Sequence, residues 1–227
     1  MAGVYAYCVL PATQPPDPSL TGLDGQPVDA VAVDTLLVWV SRMERPQASV
    51  EAVQAHNRVV EAAITEAVTP VPLRFGQWLE SEAELQAGVA ARSADYQAKL
   101  TQFAGCLEFG LRLIDPQHES RARDVQGIPA TSGFEYMQAL RESSRMAEQQ
   151  RQQAGQVHAR IRDTMQELVR DEQAQEERTA HSVVTLSHLV ARPNFDEYRA
   201  RARHLRELFP AMRLLVSGPW PPYSFAA

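Results

Sequence analysis

The sequence predicts an α+β fold in two parts, and three observations carry that expectation. Short runs rich in Val, Leu and Tyr read as strands. Longer segments place apolar residues at helical spacing. Beyond residue 70 the segments follow the order strand, helix, strand, strand, helix, strand once one long polar stretch is set aside. The 227 residues are 44% hydrophobic and 22% charged, ordinary for a globular protein and enough for one large core or two small ones.

Residues 4–10 form the first expected strand, and the proline-heavy residues 11–18 continue as loop. Residues 28–33 and 36–40 are apolar runs parted by Asp34 and Thr35, the pattern of a hairpin. Over residues 49–68, Val53, His56, Val60, Ile64 and Ala67 share one helical face, and Pro70 and Pro72 end the helix. Residues 71–75 are a short extended piece closed by Gly76. A second helix is expected over 80–103, striped by Leu85, Val89, Arg92, Tyr96, Leu100 and Phe103 and stopped by Gly105. Leu107, Phe109, Leu111 and Leu113 then alternate with Cys106, Glu108, Gly110 and Arg112, as in a half-buried strand whose Glu108 and Arg112 pair with neighbours or face solvent.

Residues 115–132 are polar and irregular. Residues 134–175 are dense in Gln, Glu and Arg, with sparse apolar positions at Met137, Leu140, Ala147, Ala154, Val157, Ile161, Met165 and Leu168. That narrow stripe suits a projecting helix, or a helical hairpin broken near Gly155, whose outer face meets either solvent or a partner. Residues 181–190 read as a strand. Asn194 and Glu197 have capping-box spacing before a helix striped by Phe195, Tyr198, Ala202, Leu205 and Phe209. Residues 212–217 read as the last strand. The expected division is a small N-terminal α+β domain, 1–76, and a ferredoxin-like C-terminal domain, 77–227, with a helical insert at about 133–175. The strand at 71–75 fits either domain.

The formal net charge of -6 and pI near 5.5 argue against a nucleic-acid backbone as the main partner. The most apolar stretch, 28–40, is interrupted by Asp29 and Asp34 and is too short to span a bilayer. The N-terminus has no basic region, so no secretory signal is expected. Cys8 and Cys106 supply no disulfide framework, so reduced thiols in the cytoplasm are expected. No P-loop, dinucleotide fingerprint, nucleophile elbow or zincin motif occurs. His56, His118, His158, His181, His188 and His204 are scattered without metal-ligand spacing, and no cofactor is expected. His56 lies on an apolar helix face and reads first as a core or interface histidine. A small enzyme using His56 or Cys106 is the alternative; it requires a base or acid beside one of them.

Two segments are unusual. In Pro72-Leu73-Arg74-Phe75-Gly76-Gln77-Trp78, a cation stands between apolar side chains in a tight turn; Arg74 reads as a satisfied, partly buried cation, in hinge packing or in a partner contact. In Gly218-Pro219-Trp220-Pro221-Pro222-Tyr223-Ser224-Phe225, prolines restrict the free chain and aromatics supply contact area, so an ordered terminus is expected. Gly218 permits a sharp turn out of the last strand. The tail either folds back on its own domain or engages a partner.

These segments resemble the gas vesicle protein GvpF/GvpL family over essentially the whole chain. His56-Asn57-Arg58-Val59-Val60-Glu61 is similar to the family's H-x-x-V-(V/L)-E pattern, Pro72 to Gly76 to its P-x-R-F-G segment, and Gly218 to Phe225 to its terminal G-P-W-P-P-Y-S-F. The resemblance implies a two-domain α+β protein with a ferredoxin-like C-terminal part. It implies a cytoplasmic, vesicle-associated assembly factor or minor vesicle component, without enzymatic activity or cofactor. The implied partners are the small, very hydrophobic shell protein GvpA, kept from aggregating during vesicle nucleation, and other gas vesicle accessory proteins, with no nucleic acid and no lipid membrane. His56, Arg74, Phe75, Gly76, Gly218, Pro219, Trp220, Pro221, Pro222, Tyr223, Ser224 and Phe225 are the candidate interaction residues.

Overall fold

The computed structural model describes residues 3–116, 133–175 and 182–226. Of the irregular stretch expected at 115–132, residues 117–132, with His118, lie outside the described residues, as does His181. Contacts divide the chain into two compact units, Met1–Glu108 with Pro219–Ala227, and Phe109–Gly218. The sequence expectation puts the division near Gly76 instead. Residues beyond Gly76 stay with the first unit because Trp78 and Leu79 pair back onto its first strand.

The first unit is built on a five-stranded antiparallel sheet. β1 (Gly3–Pro11) lies between β3 (Leu36–Met43) on one side and the two short strands β4 (Val71–Pro72) and β5 (Trp78–Leu79) on the other. β2 (Asp29–Val33) forms the expected hairpin with β3, and Asp34 takes the left-handed conformation (φ 52) that its two-residue turn requires. Tyr7 is an extra residue in β1, since Ala6 pairs with Val40 and Cys8 with Trp39. A bulge reverses which face the following side chains occupy, so Tyr5, Tyr7, Cys8 and Leu10 all enter one core cluster.

α1 (Val50–Ala62) starts at Ser49, whose Oγ accepts from Ala52 N–H at 3.1 Å. It buries Ala55, His56, Val59 and Val60, whereas Val53, expected on the same face, is 47% exposed. The helix expected over 80–103 is two helices, α2 (Glu82–Ala90) and α3 (Ser93–Phe103). The break at Arg92 (φ -116, ψ 16) has no Gly or Pro signal; the guanidinium pairs with Asp95 at 3.1 Å and lies 5.1 Å from the Tyr96 ring centre.

β6 (Cys106–Ile114) leads into the second unit, which continues with α4 (Gly133–Met165), β7 (Val169–Ala174), β8 (Ser182–Ala191), α5 (Phe195–Leu208) and β9 (Arg213–Trp220). The four strands lie in the order β7-β8-β6-β9. The expected insert is therefore corrected. Among the described residues α4 is the first helix of a β-α-β-β-α-β order, and β7, hidden in the polar run Val-Arg-Asp-Glu-Gln-Ala, pairs antiparallel with β8. α4 continues through Gly155 without a break. Its second half buries Val157, Ile161 and Met165 against Phe109, Leu111, Leu186, Tyr198 and Leu205. In its first half, Met137 (47%), Leu140 (50%) and Met146 (39%) are exposed. The capping box expected at Asn194 does not form: a 3-10 turn at Arg192–Asn194 precedes α5, and Glu197 accepts instead from Arg201 at 3.0 Å. The last strand does not turn out at Gly218; it accommodates that residue at φ 107 and runs on to Trp220.

Candidate functional site

His56 and the two unusual sequence segments meet in the first unit. Residues 71–79 run antiparallel to β1, with Leu73 N–H donating to Tyr7 O at 2.9 Å and Ala6 N–H to Gln77 O at 2.9 Å. Between those two bonds Arg74, Phe75 and Gly76 leave the sheet edge as a loop, closed by Gly76 at φ 97, a conformation that L side chains rarely adopt.

His56 and Tyr5 hold that loop. Nε2 of His56 lies 2.9 Å from the Leu73 carbonyl, which only accepts, so Nε2 carries the proton. Nδ1 is then the acceptor for the Tyr5 hydroxyl at 2.8 Å, and the Tyr5 oxygen in turn accepts from Gly76 N–H at 3.1 Å. The Phe75 ring stands 6.0 Å from both Tyr5 and His56. Burial brings His56 down from 6.5 to about 4, against the opposing effect of the Leu73 carbonyl, so the ring is neutral at neutral pH. Burial likewise pushes the Tyr5 hydroxyl well above an ordinary phenol.

The chain terminus docks beside this assembly. Pro221 and Pro222 are buried, residues 223–225 form a 3-10 turn, and Phe225 is 5% exposed. The Tyr223 ring lies 6.3 Å from His56, and its hydroxyl donates to Asn57 Oδ1 at 3.2 Å. Glu108 receives Ser224 twice, from the backbone N–H at 2.9 Å and from Oγ at 2.6 Å. Lys99 Nζ donates to the Ala226 carbonyl at 2.9 Å. Such bonds to charged groups contribute about 1.5–3 kcal/mol each. Of the two alternatives open in the sequence, the tail folds back on this chain, but it joins the first unit, reaching His56 and Asn57 as well as Lys99 and Glu108, rather than staying within the C-terminal domain expected to hold it.

His56, Phe75, Gly76, Pro221, Pro222, Tyr223, Ser224 and Phe225 thus belong to one neighbourhood. Gly218, Pro219 and Trp220 extend β9, with Trp220 46% exposed. Arg74 is not the partly buried, satisfied cation expected; its side chain is exposed, with no polar partner among the described residues. The residues that sequence reasoning missed are Tyr5, Asn57, Lys99 and Glu108. Glu108 stood on the polar side of the alternation, yet it is 8% exposed. A carboxylate between Leu107 and Phe109 was the available signal.

A second polar network lies inside the other unit. Glu172 Oε1 accepts from His158 Nε2 at 2.8 Å and from Arg162 at 2.9 Å, while Oε2 accepts from His188 Nε2 at 3.1 Å. The Tyr198 hydroxyl lies 2.9 Å from Nδ1 of His188. The hydrogen bond from His188, helped by those from His158 and Arg162, holds the Glu172 carboxyl well below the usual carboxylate range although burial opposes it. This network joins α4, β7, β8 and α5.

Neither arrangement sets up a nucleophile. Both nitrogens of His56 are engaged, and Cys106 is fully buried. A cavity of about 820 Å³ in the first unit, between Asp24, Arg45, Glu51 and Arg58, is lined by neither residue. Among the described residues no group of His, Cys, Asp and Glu is arranged to hold a metal, and no helix is long and apolar enough to cross a membrane.

The family model described as gas vesicle synthesis protein GvpL/GvpF matches residues 3–227. Gas vesicle protein L1 of Halobacterium salinarum is 25% identical over 99% of this chain and 90% of its own. Gas vesicle protein L of Haloferax mediterranei is 23% identical over 90% of this chain and 69% of its own. Among solved structures, GvpF from Anabaena sp. superimposes with a TM-score of 0.78 at 19% identity, covering 100% of this chain and 97% of that one. GvpF from Microcystis aeruginosa gives 0.74 at 18% identity, covering both chains fully. At these identities the structural likeness speaks for the fold: a mixed arrangement of helices with two antiparallel sheets. With the family model spanning nearly every residue, the chain belongs to the GvpL/GvpF family of gas vesicle synthesis proteins.

Proposed function

We infer that this chain is an accessory protein of gas vesicle formation that binds the hydrophobic shell protein GvpA and limits its aggregation during nucleation, and that it is not an enzyme. The observation that carries the binding reading is the first half of α4. Met137, Leu140 and Met146 stand exposed there on a helix otherwise dense in Gln, Glu and Arg. Methionine and leucine in a charged surround give an adaptable apolar contact for a client that must be covered until it assembles. The order β-α-β-β-α-β of the second unit supports a ferredoxin-like scaffold beneath that helix.

Within the first unit the family-motif residues divide by the exposure of their side chains, Gly76 having none. Arg74 and Trp220 are the candidate contacts with the shell protein or with other gas vesicle accessory proteins. His56, Phe75, Gly76, Pro221, Pro222, Tyr223, Ser224 and Phe225 hold them in position. The reading locates the protein at the gas vesicle in the cytoplasm, with protein partners rather than nucleic acid or a lipid bilayer.

The test is co-sedimentation of purified GvpA with the full chain and with a Met137→Glu, Leu140→Glu, Met146→Glu variant. The triple variant is expected to lose at least about tenfold in GvpA association, the scale of a few methylene burials, at unchanged melting temperature. Equal association by both proteins would overturn the assignment of α4.

A further inference from the structure

In the second unit, α5 carries arginines in two different situations. Arg201 is fully engaged, by Glu197, Glu167 and the Thr164 carbonyl, each at 3.0 Å. Arg199, Arg203 and Arg206 point the other way and line a groove of about 280 Å³ floored by Phe109 and Val216. Arg199 reaches Asp196 only at 3.5 Å, and its guanidinium lies 5.7 Å from the Phe109 ring centre. Arg203 and Arg206 have no polar partner among the described residues, and no carboxylate lines the groove. Three clustered guanidinium groups, of which Arg199 alone has a carboxylate partner among the described residues, are out of character for a chain of net charge -6.

We propose that this groove docks an acidic, extended segment of a partner protein, its carboxylates on Arg199, Arg203 and Arg206 and an apolar side chain on Phe109 and Val216. The volume is below the roughly 300–1,000 Å³ of small-molecule pockets and suits one or two side chains. Arg199 and Arg203 are about 6 Å apart along the helix axis. Alternate residues of an extended chain are about 6.7 Å apart, so a Glu-x-Glu segment is in register with them. Guanidinium groups bind carboxylates in a two-pronged fashion. β9, which supplies Val216, is an edge strand paired with β6 alone among the described residues, so the groove borders a sheet edge open to an extended peptide.

This proposal concerns a different surface from the apolar part of α4, so the two fail separately. The probe is a fluorescein-labelled peptide, Gly-Glu-Leu-Glu-Leu-Glu-Gly, followed by fluorescence anisotropy with the full chain. Saturable binding is expected, weakened at least about tenfold when Gln replaces Glu, when Ser replaces Leu, and in an Arg203→Glu, Arg206→Glu variant. The charge-reversed variant should instead bind the Lys-for-Glu peptide. An Arg203→Gln, Arg206→Gln variant, which keeps helix propensity, carries the test if charge reversal unfolds the protein. Equal binding of the Gln peptide, or unchanged binding by the arginine variants, overturns the proposal. So does displacement of the peptide by an equal concentration of oligothymidylate, which would mark a general polyanion patch.

Discussion

Lowering the pH should weaken the first unit through His56 in a calculable way. The folded unit holds this ring neutral, with its pKa brought from 6.5 to about 4 by burial, whereas the unfolded chain protonates it at its ordinary value. Between those values the unfolded state binds more protons, so stability is fully present above about pH 6.5 and drains away as pH falls toward about 4. Over the fall from about pH 8 to about pH 5 the loss attributable to this ring is about 2 kcal/mol. Its physical origin is the reversal of Nδ1 from acceptor to donor, which sets it against the Tyr5 hydroxyl and places a charge under Phe75 and Tyr223. The assay is urea unfolding followed by tryptophan fluorescence, because Trp39, Trp78 and Trp220 all belong to the first unit. His56→Gln supplies the reference: it retains an N–H for the Leu73 carbonyl and does not titrate, so its lower starting stability is subtracted and only the pH slope is compared. The wild-type chain should lose about 2 kcal/mol more than the variant over the same interval. Parallel profiles would refute both the neutral tautomer and the part assigned to His56.

Phe225→Ala should cost about 3–5 kcal/mol, since the ring is 5% exposed and its removal leaves a cavity; the same fluorescence titration measures it, and a cost below about 1 kcal/mol would mean the tail is not docked. Glu172→Gln should destabilise the second unit by about 2–3 kcal/mol, because three donors converge on the carboxylate and an amide sets its own NH₂ against one of them. Far-UV circular dichroism during urea unfolding reads that change, and unaltered stability would remove Glu172 from the network's role.

The apolar stripes were legible: Leu85, Val89, Tyr96 and Phe103 are buried as their spacing predicts, and so are Tyr198, Ala202, Leu205 and Phe209. The hairpin at Asp34 was legible from its turn chemistry. β7 was not, because an edge strand with one wet face needs no apolar run, and its key residue is a carboxylate. Missing it made α4 look like an insertion. The bulge at Tyr7 was also invisible, since period-two reading assumes an unbroken register. At the candidate site, His56, the loop at residues 73–76 and the tail were each singled out separately. That they meet depends on pairings 17 to 166 residues apart, which no local pattern contains.

The docked tail also has a consequence for the order in which the molecule is made. The first unit draws on two stretches, Met1–Glu108 and Pro219–Ala227, with the second unit synthesised in between. Until residues 219–226 emerge, Glu108 lacks Ser224, Lys99 lacks the Ala226 carbonyl, and the slot for Phe225 is empty. The first unit therefore matures only after the second has been translated. A nascent chain stalled anywhere in the second unit presents an unfinished first one, which makes closure by the tail a chemical record that residues 219–226 have been made.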